Sequence, residues 1–257
     1  MPVLCSYAGE KMSELKHEGE TWDDLLRDNM GVLQPVSGYR FSMDAVLLAH
    51  FAAQLSAHRV LDLGTGCGVI ALLLASRLPT ARVTGVEIQT EQADRAERSV
   101  RANSLQHRVN IISGDFRSAD LLADHHYDLI TVNPPFFPRG RGRLPVQDSI
   151  AISRHEVMCT LADLFTAAAR WLSREGRFCL ILPPYREAEA SDLALKAGIQ
   201  LSRTREVCPR AKQRANLMLL EFVKFDKIID PAVLPPLIVY QMDGGYTAEI
   251  NSIYFGP

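Results

Sequence analysis

The sequence predicts an α/β protein built on a doubly wound, mostly parallel sheet, and three observations lead to that fold class. Short apolar runs of strand length alternate with longer segments of helical composition. Glycine, proline or polar residues end most of these segments. The last two runs have no helix between them, so they can pair as a hairpin and add one antiparallel strand. Seven strands are predicted, at residues 59–63, 81–86, 109–112, 127–132, 177–182, 199–207 and 216–223.

Helices are expected to connect the parallel strands, because a parallel pair needs a crossover that is usually helical. The first helix precedes the first of these strands. Ser42 is expected to cap it through its hydroxyl, and Asp44 lies in its first turn, where a carboxylate is favourable. The remaining helices are predicted at residues 69–78, 89–104, 161–172 and 188–197.

Three segments are predicted along the chain. Residues 1–34 are polar and weakly periodic, so we expect a flexible tail or a short arm. Residues 35–227 form the doubly wound domain. Residues 228–257 are expected to pack on that domain as an ordered appendage, because they include the apolar run at residues 237–240.

Composition excludes several classes of protein. No apolar run approaches the ~20 residues of a membrane span, and the N-terminal residues do not have the pattern of a secretory signal, so we expect a cytoplasmic protein. The five cysteines include no CxxC pair and no Cys/His cluster at metal spacing, so we expect reduced thiols and no bound metal. A net charge of -2 means that any contact with nucleic acid must be local.

A glycine-rich loop follows the first of these predicted strands. Residues 64–68 read GTGCG, and we call them the glycine loop. The closely spaced Gly64 and Gly66 let the backbone turn tightly and approach a ligand. Glu87 closes the second strand, where doubly wound folds place a carboxylate that accepts hydrogen bonds from ribose hydroxyls. This combination predicts a nucleotide-like cofactor, either a nicotinamide dinucleotide or S-adenosylmethionine.

The residue types around the glycine loop distinguish between these cofactors. A dinucleotide site presents GxGxxG to a pyrophosphate, whereas this loop reads GxGxG and is preceded by Asp62. A carboxylate repels phosphate and attracts an ammonium or sulfonium group, which favours S-adenosylmethionine. After the third strand, Asp115 is a candidate acceptor for the adenine amine, and Phe116 is a candidate packing surface for the adenine ring.

The fourth strand ends in the sequence NPPF, which we interpret as a catalytic loop. The side-chain carbonyl of Asn133 and the backbone carbonyl of Pro134 can accept the two N–H bonds of a planar amine and aim its lone pair at a methyl group. Pro134 and Pro135 fix the backbone of the loop, and Phe136 can stack on a planar substrate. These residues predict methylation of a planar nitrogen, assisted by proximity and alignment.

The sequence resembles two nested families. NPPF together with the glycine loop resembles the class I amino-methyltransferases, which have a Rossmann-like fold. The segments RFSMDAVLLAHF, TGVEIQ, NPPFF, CPRAKQRANLMLLEF and PPLIVYQMDGGYTAEINSIY resemble the tRNA1(Val) adenine-37 N6-methyltransferase family over roughly residues 35–257. The resemblance implies additional cofactor contacts from Phe41 and Asp44 and a tRNA substrate. Phe136 departs from the tyrosine that is usual at that position.

The motif by itself leaves the substrate open. Glutamine N5 in a protein and guanine N2 in rRNA are also planar nitrogens, and a non-catalytic RNA-binding protein or a dehydrogenase are alternatives of other classes. Arginines directly after NPPF are expected to hold RNA phosphates. These residues are Arg139, Arg141 and Arg143.

A second basic cluster lies later in the chain and is an alternative RNA contact. It consists of Arg203, Arg205, Arg210, Lys212 and Arg214. We interpret His155 and Glu156 as a structural pair and Cys67 as a packing residue, so no covalent catalysis is expected.

Overall fold

The computed structural model describes residues 15–38, 40–122, 126–134, 159–226 and 228–256. Its strands are β1 (Glu20–Asp24), β2 (Gly31–Pro35), β3 (Arg59–Leu63), β4 (Arg82–Glu87), β5 (Val109–Ser113), β6 (Tyr127–Val132), β7 (Leu172–Leu182), β8 (Ile199–Arg210), β9 (Leu217–Lys224) and β10 (Ala232–Tyr240). Its helices are α1 (Met43–Ala52), α2 (Val69–Arg77), α3 (Thr90–Ala102), α4 (Leu161–Trp171), α5 (Glu187–Lys196) and α6 (Ala248–Phe255).

The main sheet confirms the predicted fold class. Its order is β10-β8-β9-β7-β6-β3-β4-β5, and β9 is antiparallel to both of its neighbours. All other neighbouring pairs are parallel. The sheet has eight strands rather than seven, because the apolar run of the predicted appendage forms β10 and pairs with β8. Leu237 and Val239 on β10 are buried, which explains why this run joins the sheet.

Two apolar cores cover the two faces of the main sheet, as doubly wound packing requires. One core contains residues of α1, α2, α3 and α6, and the other contains residues of α4 and α5. In the second core Phe165 packs edge-on against Phe178 and Phe222, with ring centroids 5.3 and 5.2 Å away. No helix within the described residues is long and apolar enough to cross a membrane.

Helix α1 forms where it was predicted, but its N-terminus differs from the expectation. Ser42 is extended and its side chain makes no capping hydrogen bond. Nearly every later residue of the helix is buried, including Val46, Leu48 and Phe51. The helix is therefore stabilised mainly by burial rather than by a side-chain cap.

The N-terminal segment is more ordered than predicted. Strands β1 and β2 form an antiparallel hairpin, which we call the N-terminal hairpin, and residues 1–14 lie outside the described part. The hairpin packs on α3: the Leu33 amide donates to the Ser99 hydroxyl at 2.9 Å, and Val32 and Leu33 are fully buried. The segment was expected to be a tail because its composition is polar. In the structure, residues of α3 rather than water satisfy polar groups of the hairpin.

A buried ion cluster joins the hairpin to α3. Both carboxylate oxygens of Glu20 accept from the Arg98 guanidinium, at 2.6 and 2.7 Å, and Arg95 donates to Glu20 at 2.9 Å. Only 4% of the Glu20 side chain and 5% of the Arg98 side chain are exposed, so solvent screens this pair weakly. The hydrogen bonds from Arg98 lower the pKa of Glu20 to about 2.

We expect Glu20→Gln to destabilise the fold by about 2–4 kcal/mol at pH 7, because it removes the buried one of the two carboxylates that pair with Arg98 and leaves only Asp94. The pKa of Glu20 in the folded protein lies below its ordinary value of 4.5. The ionised carboxylate therefore contributes its full stabilisation above pH 4.5, and this stabilisation is lost as the pH falls toward 2. Urea unfolding between pH 7 and pH 3 measures both effects. The control is Glu91→Gln, because the Glu91 side chain is 87% exposed; equal stability of the two variants would contradict the assignment.

Candidate functional site

The predicted cofactor and catalytic residues follow strands that end side by side. Leu63 at the end of β3 is paired with Val86 on one side and with Val132 on the other. The glycine loop, Glu87 and Asn133 therefore leave the same edge of the sheet. This is the carboxyl edge, where open α/β sheets bind their ligands.

The glycine loop has a backbone conformation that favours glycine. Gly64 has φ +68° and Gly66 has φ +55°, both in the left-handed region. A Cβ atom at either position would have no protein atom within 4 Å. The glycines are therefore required by the turn rather than by tight packing, and the space beside them is open to a ligand.

Glu87 organises the glycine loop. Its carboxylate accepts from the Gly66 amide at 2.9 Å through one oxygen and from the Gln89 amide at 2.9 Å through the other. Only 5% of the residue is exposed. The loop is also held by amides of Gly64 and Thr65, which donate to the Val86 carbonyl. The carboxylate thus holds the glycine loop directly, a contact that was not predicted, and its role toward ribose hydroxyls stays a prediction.

Asp62 is a buried carboxylate beside the glycine loop. It is 1% exposed, and its Oδ1 atom accepts from the Thr131 hydroxyl at 2.8 Å. Its Oδ2 atom has no hydrogen-bond partner among the described residues. Burial and the charge of Glu87 raise the pKa of Asp62 to about 7. A buried acceptor with a free oxygen and a raised pKa is suited to a cationic ligand, which would favour the charged form.

Asp115 and Phe116 also lie at the carboxyl edge, after β5. The Gly114 amide donates to the Glu87 carbonyl at 2.9 Å, which holds this turn against β4. The Asp115 carboxylate accepts from Nε of Arg117 at 2.9 and 3.0 Å, and these bonds lower its pKa. Phe116 packs partly into the second core. An adenine amine would therefore have to compete with Arg117 for Asp115.

Phe41 and Asp44 precede and begin α1. The Phe41 amide donates to the Gln34 side chain at 2.8 Å, so the N-terminal hairpin holds this residue in place. Gln34 is 1% exposed and also donates to Asp23 at 2.7 Å. Burial raises the pKa of Asp44. The hairpin thus holds the backbone just before α1, and the cofactor contacts expected from Phe41 and Asp44 stay a prediction.

The structure describes half of the predicted catalytic loop. Asn133 is half-buried and Pro134 is buried directly after β6. The other two predicted members of the loop, Pro135 and Phe136, lie outside the described residues, as do His155 and Glu156. The predicted RNA-binding residues Arg139, Arg141 and Arg143 also lie outside them.

The second basic cluster is only partly available to a ligand. Arg203 forms an ion pair with the buried Glu221 at 2.7 Å, and Arg205 forms one with Glu249 at 2.7 Å. Their side chains are 13% and 10% exposed. The interpretation of these two residues as RNA contacts is therefore wrong, because they hold β8 to β9 and to α6.

Two supporting residues were missed in the sequence. Thr131 is fully buried, and Gln34 is 1% exposed. Thr131 is a polar residue two positions before the predicted catalytic loop, which is the signal that could have identified it, whereas Gln34 lies in a strand that was not predicted. Cys67 donates to the Gln92 side chain at 2.8 Å, and burial raises its pKa to about 11, in agreement with a packing role. Within the described ranges, no group of three His, Cys, Asp or Glu residues is placed to hold a metal ion.

This arrangement can bind a cation and a pair of N–H groups close together. Asp62 supplies a buried negative charge, and Asn133 supplies an amide oxygen at the end of the neighbouring strand. Glu87 supplies a carboxylate on the opposite side of β3. These groups are chemically suited to a polar cofactor with one positive end beside a planar nitrogen.

The comparisons with known proteins agree with this geometry. The family model described as methyltransferase small domain matches residues 42–202. A tRNA1(Val) (adenine(37)-N6)-methyltransferase of Porphyromonas gingivalis is 34% identical over 82% of this chain and 85% of its own length. One from Yersinia pseudotuberculosis is 31% identical over 80% of each chain.

A solved structure adds evidence for the fold. The crystal structure of a predicted O-methyltransferase from Agrobacterium tumefaciens is 25% identical to this chain, with a TM-score of 0.64. The match covers 83% of this chain and 96% of that one. The chain therefore belongs to the methyltransferase small domain family and is an S-adenosylmethionine-dependent methyltransferase.

Proposed function

We propose that this protein methylates the N6 amine of an adenine in the anticodon loop of a tRNA, as the names of its relatives state for them at adenine 37 of tRNA1(Val). The observation that supports this most directly is the position of Asn133 and Pro134. They follow Val132, the partner of Leu63, so the two acceptors lie next to the glycine loop. We also propose that the protein acts in the cytoplasm, where tRNA is modified.

The residues at the carboxyl edge fit the cofactor. The glycine loop leaves open space at Gly64 and Gly66, and the free Oδ2 atom of the buried Asp62 offers a negative partner to a cation. Glu87 offers a carboxylate to ribose hydroxyls. We assign adenine contacts to Asp115 and Phe116, and further walls of the site to Phe41 and Asp44.

S-adenosylmethionine supplies an electrophilic methyl group when it is bound. The amide oxygen of Asn133 and the carbonyl of Pro134 then accept the two hydrogens of the adenine amine. This draws the hydrogens out of the ring plane, so that the nitrogen lone pair can be directed at the methyl carbon. No general base is needed before transfer: the new N–C bond would form as the S–C bond to the methyl group breaks and leaves a neutral thioether, and the nitrogen, now cationic and acidic, would then release one proton to water. Pro135 and Phe136 are proposed to fix the loop and to stack on the base.

An adenine in the anticodon loop suits such a site because it has no pairing partner and can be extruded at low cost. We propose that three arginines after the catalytic loop hold the neighbouring phosphates. They are Arg139, Arg141 and Arg143.

Substrates of other types are separated by one experiment. Glutamine N5 and guanine N2 also carry two hydrogens, whereas the hydroxyl substrate of an O-methyltransferase carries one and would leave one acceptor unused. The purified protein is incubated with radiolabelled S-adenosylmethionine and separate tRNA, rRNA and protein fractions. We expect label in tRNA as N6-methyladenine; label confined to rRNA or protein would reject the proposal.

Asn133→Ala should reduce methyl transfer at least ~100-fold while cofactor affinity changes little, because the lost acceptor acts mainly in the transition state. Single-turnover methylation and calorimetry with S-adenosylmethionine measure the two quantities. Asn133→Asp keeps a side-chain acceptor oxygen at the position of the amide oxygen, so it should retain more activity than the alanine variant. Normal methylation by Asn133→Ala would eliminate the proposed alignment.

Asp62 should make cofactor binding depend on pH. The raised pKa of Asp62 means that its charged form is disfavoured in the protein without cofactor. The folding stability of the cofactor-free protein therefore decreases as the pH rises through about 7. A bound cation offsets this effect. Affinity for S-adenosylmethionine should therefore increase by up to about tenfold per pH unit below pH 7 and level off above it.

Calorimetry at several pH values tests this dependence. In Asp62→Asn the affinity should be weak and less dependent on pH. Thr131→Val removes the hydrogen bond to Oδ1 and should move the midpoint to higher pH, whereas Thr131→Ser should leave it in place. If the affinity for S-adenosylmethionine depends on pH in the same way in wild type and in Asp62→Asn, a group other than Asp62 is responsible for the dependence.

Glu87→Ala should weaken cofactor binding by about 1.5–3 kcal/mol, the range for a hydrogen bond to a charged group. The Gly66 amide also loses its acceptor, so the glycine loop should exchange its amide hydrogens faster. Glu87→Gln keeps one acceptor oxygen and should have an intermediate affinity. Calorimetry and hydrogen exchange measure the effects; an alanine variant with unchanged affinity would reject the role.

A further inference from the structure

The exposed members of the second basic cluster form a compact group. The basic turn, residues 210–214, begins at the last residue of β8, leads toward β9 and carries Arg210, Lys212 and Arg214. All three are exposed, and none forms an ion pair with a described residue, in contrast to Arg203 and Arg205. We propose that the basic turn binds the phosphate backbone of the tRNA; this inference rests on the proposed function and deepens it.

The sheet topology places the basic turn at the same edge as the catalytic loop. β9 is antiparallel to both β7 and β8, so β8 runs parallel to β7 and to β6. The end of β8 at Arg210 therefore lies at the carboxyl edge, as Asn133 does. Three strand spacings separate β6 from β8 in the sheet, roughly 14 Å at the usual spacing. A few nucleotides of a single-stranded loop can bridge that distance.

The charge around the basic turn suits a polyanion. No acidic residue occurs between residues 207 and 220, so the three positive charges are not offset within the turn or within the strand ends that adjoin it. The Arg210 guanidinium lies 5.9 Å from the centroid of the Tyr240 ring, and that ring stacks on Tyr246 at 5.4 Å. This contact orients Arg210 without neutralising it. Guanidinium groups bind phosphate through paired hydrogen bonds.

The backbone of the turn gives an independent argument. Lys212 has φ +65°, and the Gln213 amide donates to the Arg210 carbonyl at 3.1 Å, which closes a tight turn. Glycine adopts this conformation without the penalty that Cβ imposes on lysine. Lysine is therefore a poor residue for the turn itself. A strained position with an unpaired charge indicates a role for the side chain outside the fold.

The experiment measures the affinity of full-length protein for an unmodified tRNA1(Val) transcript across a salt series. Replacing Arg210, Lys212 and Arg214 with Ala should weaken binding about tenfold or more at 0.1 M salt. It should also flatten the slope of log affinity against log salt by about 0.7 per lost phosphate contact, or about 2 in total. Calorimetry should show unchanged affinity for S-adenosylmethionine.

A matched control removes the same number of charges at the opposite edge. Arg59, Arg82 and Arg101 are exposed, and Arg59 and Arg82 begin their strands at the amino edge. Their alanine variant should give the wild-type salt slope. Equal losses in both triple variants would show a general effect of net charge and would overturn the proposal.

Lys212→Gly separates RNA binding from folding. We expect the glycine variant to be at least as stable as wild type in urea unfolding, because it relieves the turn, and yet to bind tRNA more weakly. A destabilised variant with normal tRNA affinity would overturn the proposal, since it would assign Lys212 to the fold.

The result also distinguishes this inference from the proposed function. Wild-type methylation of tRNA combined with superimposed salt lines for wild type and the basic-turn variant would reject the inference alone. A wild-type protein that neither binds nor methylates tRNA would reject the proposed function, and the inference with it.

Discussion

The candidate site depends on the parallel pairing of β3 with β4 on one side and β6 on the other. This register sets Leu63 beside Val86 and Val132, so three turns begin at the same height along the edge. A displacement of one residue in either pairing would turn the site residues toward the opposite face of the sheet. The two apolar cores maintain this register, because every strand of the pairing is buried on both faces.

Buried polar groups connect the edge to the rest of the molecule. Thr131 holds the carboxylate of Asp62 from the neighbouring strand, and Glu87 holds the glycine loop. The N-terminal hairpin contributes from further away: Gln34 holds the Phe41 amide, and Glu20 anchors the hairpin to α3. The hairpin is therefore tied both to α3 and to the backbone before α1 through hydrogen bonds between polar groups that water would otherwise satisfy.

Two arginines on β8 have different roles because their surroundings differ. Arg203 is placed against Glu221, over the Phe51 ring at 4.3 Å, and acts inside the fold. Arg210 is seven residues along the same strand but faces solvent at the carboxyl edge, where a polyanionic substrate would approach. The net charge of -2 follows from nearly equal numbers of acidic and basic residues, so the local position of each arginine rather than the overall charge decides what it can bind.

The sequence by itself determined the fold class, the order of strands and helices from α1 to β9, and the residues that follow those strands, because apolar periodicity and the glycine and proline turns are local signals. The tertiary structure decided which polar residues are internal. Glu20 and Arg205 read as surface residues in the sequence, since their partners Arg98 and Glu249 are distant along the chain. β10 became a sheet strand only because β8 offered it an open edge. Such pairings depend on non-local contacts, which no short window of sequence contains.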